Sequence, residues 1–354
     1  MPSTHPVTTS WPMAFGKRYS RTGKATPSLE SGLTCYLPEP VCRVPAKLNP
    51  DYPTIYEHNA DWVRRFLPFS DEQSISRILE ARYPLSEALQ FPKGLPGRIV
   101  HTSCVLSLMF QVEDLALLQR ALFDDIAADW VAGHRYGPAF ASAFGTLQRF
   151  MPVDVYRRYR KEWQNWFSSA QEENVLRDRG EIPDLDTCLE IRRLSIGMRP
   201  GLVGAEYVHD IDLTRLLKRD PSLVRAGHTA IEHIMLVNDL FSFRKEYFQG
   251  EYINVMASLL FTHQYSLQNA VDFVCRRIRD ADEALANLCD ELRLRYAWYP
   301  QVQTYLDTLG SICAGNLRWS LETTRYNGSG YGWSGLRNGR MTLHSDRTTI
   351  EEPG

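Results

Sequence analysis

No apolar run in this chain approaches the ~20 residues that a helical membrane span needs. Charge of one sign is scarce too. The 40 Lys and Arg nearly balance the 42 Asp and Glu, and a net charge of −2 gives no electrostatic case for nucleic acid or an anionic membrane surface. There are 7 cysteines, but no C-x-x-C pair, and neither Cys nor His clusters at metal spacing. That argues against zinc and against a disulfide framework, so the thiols read as reduced, in a cytoplasmic protein. The Pro-, Ser- and Thr-rich stretch 1–27 lacks the apolar centre of a secretory signal. No strand pattern appears between 50 and 326, and no internal repeat.

Helical signals fill the middle of the chain. Residues 1–35 read as a disordered leader, 36–327 as one all-α domain, and 328–354, rich in Gly and polar residues, as a flexible tail. The proline-broken segment from Tyr36 should run extended over the domain. Ser70-Asp71-Glu72-Gln73 reads as a capping box. Arg98–Val112 is a largely apolar helical run, and further helices are expected over Leu117–Trp130 and Pro138–Arg149. Tyr156, Tyr159, Trp163, Trp166 and Phe167 make an aromatic stripe whose ordinary role is core packing. Thr187–Met198 should be a helix ended by Pro200-Gly201.

The richest stretch is Asn238-Asp239-Leu240-Phe241-Ser242-Phe243-Arg244-Lys245-Glu246. On a helix, Asn238, Ser242 and Glu246 follow one face, since each step of four overshoots a turn by only about 40°. The face carries an amide oxygen, a hydroxyl and a carboxylate, which are donors suited to Mg²⁺. Lys245 adds a cation beside them. Taken alone, such a triad is more often a solvated helix face. Here it continues the apolar run Ala230–Val237, which makes a surface reading less easy.

This run resembles the second metal motif of class I terpene cyclases, N-D-x-x-S-x-x-x-E with a basic residue before the Glu. Other stretches extend the resemblance. Glu190-Ile191-Arg192-Arg193-Leu194-Ser195-Ile196-Gly197 is similar to the family's diphosphate-sensing segment, with Arg192 in the sensing role and Ile196 and Gly197 at a helix break. Asn316, Trp319 and Arg325-Tyr326 are similar to its terminal element, and Arg82-Tyr83-Pro84 to an upstream segment. The acidic motif has two candidates, Glu113-Asp114 and the cluster Asp124, Asp125 and Asp129. We favour Glu113-Asp114, which ends a long apolar helix and stands at the family's interval from Asn238. It departs from the family pattern, with Glu for the first Asp and Leu117 for the last acid.

The resemblance implies a helical bundle with a central active-site cavity, most of it between residues 36 and 326. It implies three Mg²⁺ held by Glu113, Asp114, Asn238, Ser242 and Glu246, and a diphosphate clamped by Arg192, Lys245, Arg325 and Tyr326. Phe110 and Trp319 would face the carbocation in a dry pocket. The activity implied is ionisation and cyclisation of a prenyl diphosphate, with farnesyl diphosphate favoured over geranyl and geranylgeranyl. The worn acidic motif keeps a second reading open, a catalytically lapsed protein that binds a prenyl ligand. The family also admits a homodimer.

Overall fold

The computed structural model describes residues 29–69, 71–111 and 133–352. Glu113, Asp114, Asp124, Asp125 and Asp129 lie outside them, as do the expected helix over Leu117–Trp130 and residues 1–28 of the leader.

Helices carry the fold. After strand β1 (Leu33–Leu37) come α1 (Tyr52–Phe66), α2 (Glu72–Glu80), α3 (Tyr83–Gln90) and α4 (Pro96–Met109). Next follow α5 (Gly137–Phe150), α6 (Val153–Asp178), α7 (Leu185–Ser195), α8 (Met198–Val208) and the short α9 (Thr214–Leu217). Then come α10 (Pro221–Phe248), α11 (Val255–Ala257) running into a π turn, α12 (Leu267–Arg295), α13 (Pro300–Glu322) and α14 (Thr324–Asn327). Strands β2 (Gly339–Leu343) and β3 (Thr348–Glu351) close the described chain.

Helix α10 is the axis. It buries Leu223, Ala230, Ile234, Met235, Val237, Leu240 and Phe243 along its length and packs against α12 and α13. A helix apolar on nearly every side belongs inside a core. The stripe on α6 also packs inward: Tyr159, Trp163 and Phe167 are buried, while Tyr156 and Trp166 lean on the same core. Asp71 accepts from the Ser74 N–H at 2.7 Å and caps α2.

Close approach fixes one position. A Cβ on Gly315 of α13 would stand 2.5 Å from the Leu89 carbonyl carbon and 2.6 Å from the Gln90 nitrogen. Both are backbone atoms of α3 and cannot swing away. Gly315→Ala is expected to cost at least about 1–3 kcal/mol as overpacking. Calorimetry should show a lower melting temperature; an unchanged one would mean that α3 and α13 do not meet backbone to backbone.

Two boundaries differ from those expected. Helix α7 ends at Ser195 rather than Met198, because Gly197 takes φ +77°. Pro200 then falls in the first turn of α8, where its missing N–H leaves no intrahelical bond unmade. The larger correction is at the ends. Residues 339–351, expected as flexible tail, form β2 and β3, and β1 joins them in an antiparallel sheet in the order β1-β2-β3. The strand begins at Leu33, inside the expected leader, and pairs Leu33 with Leu343 and Leu37 with Gly339. The physical reason is alternation: Met341, Leu343 and Ile350 point into the core between polar neighbours. The bundle is therefore mostly helical with a small sheet across its edge.

Candidate active site

Four elements converge at one end of α10: the C-terminal turn of α7, the 238–246 face, the α13–α14 corner and the start of α3. The α7 turn supplies Arg192, which is buried. Its Nε and Nη2 donate to Asp239 Oδ1 at 2.9 and 2.6 Å, and Nη2 also donates to Asn238 Oδ1 at 2.9 Å. Its Nη1 reaches Ser195 Oγ at 3.3 Å and lies 3.6 Å from Glu173 Oε1. Ser195 in turn donates to Glu173. Burial works against the charge of Arg192, but Asp239, Glu173 and Glu246 outweigh it and raise its pKa. The neighbouring Arg193 is partly exposed and pairs with Glu232 at 3.4 Å, away from this cluster.

Asn238 links two walls. Its oxygen takes the Arg192 bond, and its Nδ2 donates to the Tyr326 hydroxyl at 2.6 Å. One turn on, Ser242 is fully buried and its Oγ has no hydrogen-bond partner among the described residues. A buried hydroxyl left so costs about 1–3 kcal/mol unless something meets it. One turn further, Glu246 Oε2 accepts from Asn254 Nδ2 at 2.9 Å. Asn254 is wholly buried and also donates to the Asp239 carbonyl at 2.9 Å, so it ties the carboxylate to the body of α10. Three oxygen donors on one face, the middle one orphaned, fit a hard divalent cation.

Two cations face that row. Burial lowers the pKa of Lys245, and the positive charge of Arg325 lowers it further. Glu246 and Glu251 pull the other way, and a Glu251 carboxylate oxygen is 3.9 Å away. Arg325 donates to the Tyr83 hydroxyl at 3.3 Å, its guanidinium lies 4.5 Å from the Phe110 ring centre, and its Nε is buried without a partner. Both cations already feel the Glu246 carboxylate, and a further anion between them would be favoured by the pair.

The aromatic wall is continuous. Tyr83 stacks on Phe110 at 4.6 Å and 9° between planes. Trp319 leans on both rings and meets Tyr326 edge-on at 5.5 Å. Its indole N–H is bound to the Ala81 carbonyl at 3.1 Å, so the ring is fixed. Beneath the α7 break, Trp166 Nε1 donates to the Ser195 carbonyl at 2.8 Å. Ile196 and Gly197 sit on that break, half-buried. Arg244 secures the far side: it donates to the Tyr326 carbonyl at 2.8 Å, to the Ser345 carbonyl at 3.2 Å and to Thr348 Oγ1 at 3.1 Å. The C-terminal sheet thus holds the corner that carries Arg325 and Tyr326.

The structure brings together Arg192, Asn238, Ser242, Lys245, Glu246, Arg325, Tyr326, Phe110 and Trp319. It adds Asp239, Glu173, Asn254 and Tyr83, which sequence reasoning did not assign. Asp239 carried a signal, since a buried arginine demands an acid. Asn254 carried none, as Ile253-Asn254-Val255 resembles any helix start.

Residues 112–283 match the family model described as terpene synthase family 2, C-terminal metal binding. The chain is 27% identical over 325 residues to an (E)-2-epi-beta-caryophyllene synthase of Selaginella moellendorffii, covering 82% of this chain and 85% of that one. It is 23% identical over 328 residues to a sesquiterpene synthase of Cyclocybe aegerita, covering 81% and 87%. Its fold is similar to that of the linalool/nerolidol synthase of Streptomyces clavuligerus solved with 2-fluorogeranyl diphosphate. The TM-score is 0.70 and the identity 22%, over 77% of this chain and 100% of that one. Among the described residues no helix is long and apolar enough to cross a membrane.

Proposed function

We propose that the chain is a class I terpene synthase, a lyase on prenyl diphosphates of the kind whose family model matches residues 112–283, and that it cyclises farnesyl diphosphate. The product is a terpene hydrocarbon or alcohol, released with diphosphate. The observation that carries this reading is the pairing of buried cations, Lys245 and Arg325, with an orphaned Ser242 hydroxyl in a row of oxygen donors. The relatives named as sesquiterpene synthases support the fifteen-carbon substrate.

Asn238, Ser242 and Glu246 would hold one Mg²⁺, and Glu113 with Asp114 would hold two more. When bound, Mg²⁺ supplies positive charge to the departing diphosphate. The residues do the rest. Arg325 and Lys245 bind diphosphate oxygens, Arg325 through its planar fork. Tyr326 donates its hydroxyl to the same group. Arg192, sharing Nη2 between Asp239 and Asn238, senses any displacement of Asn238 and passes it to the Ser195 turn. Tyr83, Phe110 and Trp319 exclude water and turn π faces toward the cationic chain.

Incubation with geranyl, farnesyl and geranylgeranyl diphosphate plus Mg²⁺ tests the proposal. Headspace analysis should find a volatile terpene or an alcohol from the farnesyl substrate. Neither product nor diphosphate release from any of the three would leave only the lapsed, ligand-binding reading. Glu113→Ala should abolish turnover while Asp124→Ala retains it; the reverse would move the acidic motif to 124–129.

A further inference from the structure

Away from the diphosphate cluster, the extended strap between β1 and α1 crosses α10 and α12. There it brings together three residues far apart in sequence. Cys42 Sγ, a ring nitrogen of His233 and a carboxylate oxygen of Asp282 all lie within 4.8 Å of one another. His233 is wholly buried, and its Nε2 is 2.8 Å from the Val41 carbonyl oxygen. A carbonyl can only accept, so Nε2 carries the proton and Nδ1 keeps its lone pair. That Nδ1 has no hydrogen-bond partner among the described residues. Metal-bound histidines show this arrangement, one nitrogen anchored to a backbone carbonyl and the other free.

Asp282 repeats the pattern. Its Oδ1 accepts from the Arg43 N–H at 3.0 Å. Its Oδ2, though buried, has no hydrogen bond; the half-exposed Arg43 Nε is 3.2 Å away but out of line. An imidazole with one nitrogen unbonded and a carboxylate oxygen held only by an ion pair therefore gather at one thiol. Next to them opens a cavity of about 330 Å³ lined by Glu39, Cys42, Arg279 and Arg337.

We propose that Cys42, His233 and Asp282 form a zinc site that fastens the strap to α10 and α12. A thiolate, an imidazole and a carboxylate suit Zn²⁺ and not Mg²⁺, which prefers oxygen ligands alone. Bonds of about 2.0–2.3 Å in a tetrahedron set ligand atoms about 3.5 Å apart. Binding would draw the three ligand atoms together, and Cys42, half-buried where His233 and Asp282 are buried, is the freest of them to move. Water takes the fourth position, from the cavity. A thiol binds the metal as the thiolate, so loading releases a proton. The staple fixes His233 five residues before Asn238 on the same helix, and so steadies the helix that carries the oxygen-donor face.

The test uses the full chain, stripped with chelator and kept in excess Mg²⁺ to occupy the oxygen-donor site. Added Co²⁺ should give a thiolate-to-metal charge-transfer band, and Zn²⁺ should quench it at one equivalent. Cys42→Ser should abolish the band and weaken Zn²⁺ retention at least about tenfold. Asp282→Asn should weaken retention without removing the band. Ser242→Ala, on the other face of α10, should leave both unchanged. No band in the wild-type chain, or an equal band in Cys42→Ser, overturns the proposal. These readouts do not depend on turnover, so they stand or fall apart from the cyclase reading.

Discussion

Asp239→Ala is expected to lower stability by about 3–5 kcal/mol and to stop diphosphate release. Asp239 is completely buried, and it takes two hydrogen bonds from Arg192 and one from the Val255 N–H at 2.7 Å. Removing the carboxylate takes away the partner of a buried guanidinium, leaving it the weaker help of Glu173 and Glu246, and leaves an unmet N–H at the start of α11. Stability and activity can be separated. In an Asp239→Ala background, Arg192→Met removes the stranded charge. Melting temperature should then recover in part, because an apolar replacement of a buried pair is often tolerated. Diphosphate release should not recover, since Asn238 has lost the bond that orients its oxygen. If the single variant melts like wild type, the pair is not buried as described. If the double variant turns over, Arg192 has no part in sensing the substrate.

Arg192 also shows where sequence reasoning reaches its limit. Two arginines in an apolar helix are costly unless paired, but periodicity alone cannot say which one turns inward, and only the family resemblance singles out Arg192. Helix α7 decides: Arg192 faces Asp239, while Arg193 points to Glu232 at the rim. The 238–246 row was legible because a period of four is local and α10 is long. The sheet was not legible, since β1 and β2 are about 300 residues apart and each is only five residues long. Their alternation is short enough to hide in a polar, glycine-rich stretch. Cys42, His233 and Asp282 make the same point more strongly. No spacing rule joins them, and only the strap's path across α10 and α12 does. The lack of Cys and His at local metal spacing bears only on sites built from neighbours in sequence. The helix break at Gly197 was seen through the family resemblance, whereas the local signal of Pro200-Gly201 misled by a turn.

Glu87→Gln is expected to flatten the pH dependence of stability and to raise stability above neutral pH. Glu87 lies on α3, whose every residue is buried, and its carboxyl is 2.5 Å from Thr102 Oγ1. Burial raises its pKa from 4.5 to about 7, although the Thr102 bond pulls the other way. The sign follows from proton counts. Below about pH 4.5 the carboxyl is protonated whether the chain is folded or not, and it costs nothing. Between about 4.5 and 7 the unfolded chain gives up the proton while the folded chain keeps it, so stability falls as pH rises. Above about 7 both are ionised and the loss is complete, on the order of 3 kcal/mol. A glutamine keeps the shape and an oxygen for Thr102, and has no charge to bury. The difference in melting temperature between variant and wild type should therefore be small at pH 4.5, grow through pH 7 and level off by pH 8. Taking the difference removes the opposite slope of the buried, neutral His233, which both proteins share. Parallel curves would mean that water reaches Glu87. The consequence extends to the site, because α3 begins at Tyr83, the residue that holds Arg325 against the Phe110 ring. A charge forming one turn along that helix loosens the wall before it unfolds the protein. Turnover at 25 °C should thus fall in wild type as pH rises through about 7, and fall less in Glu87→Gln.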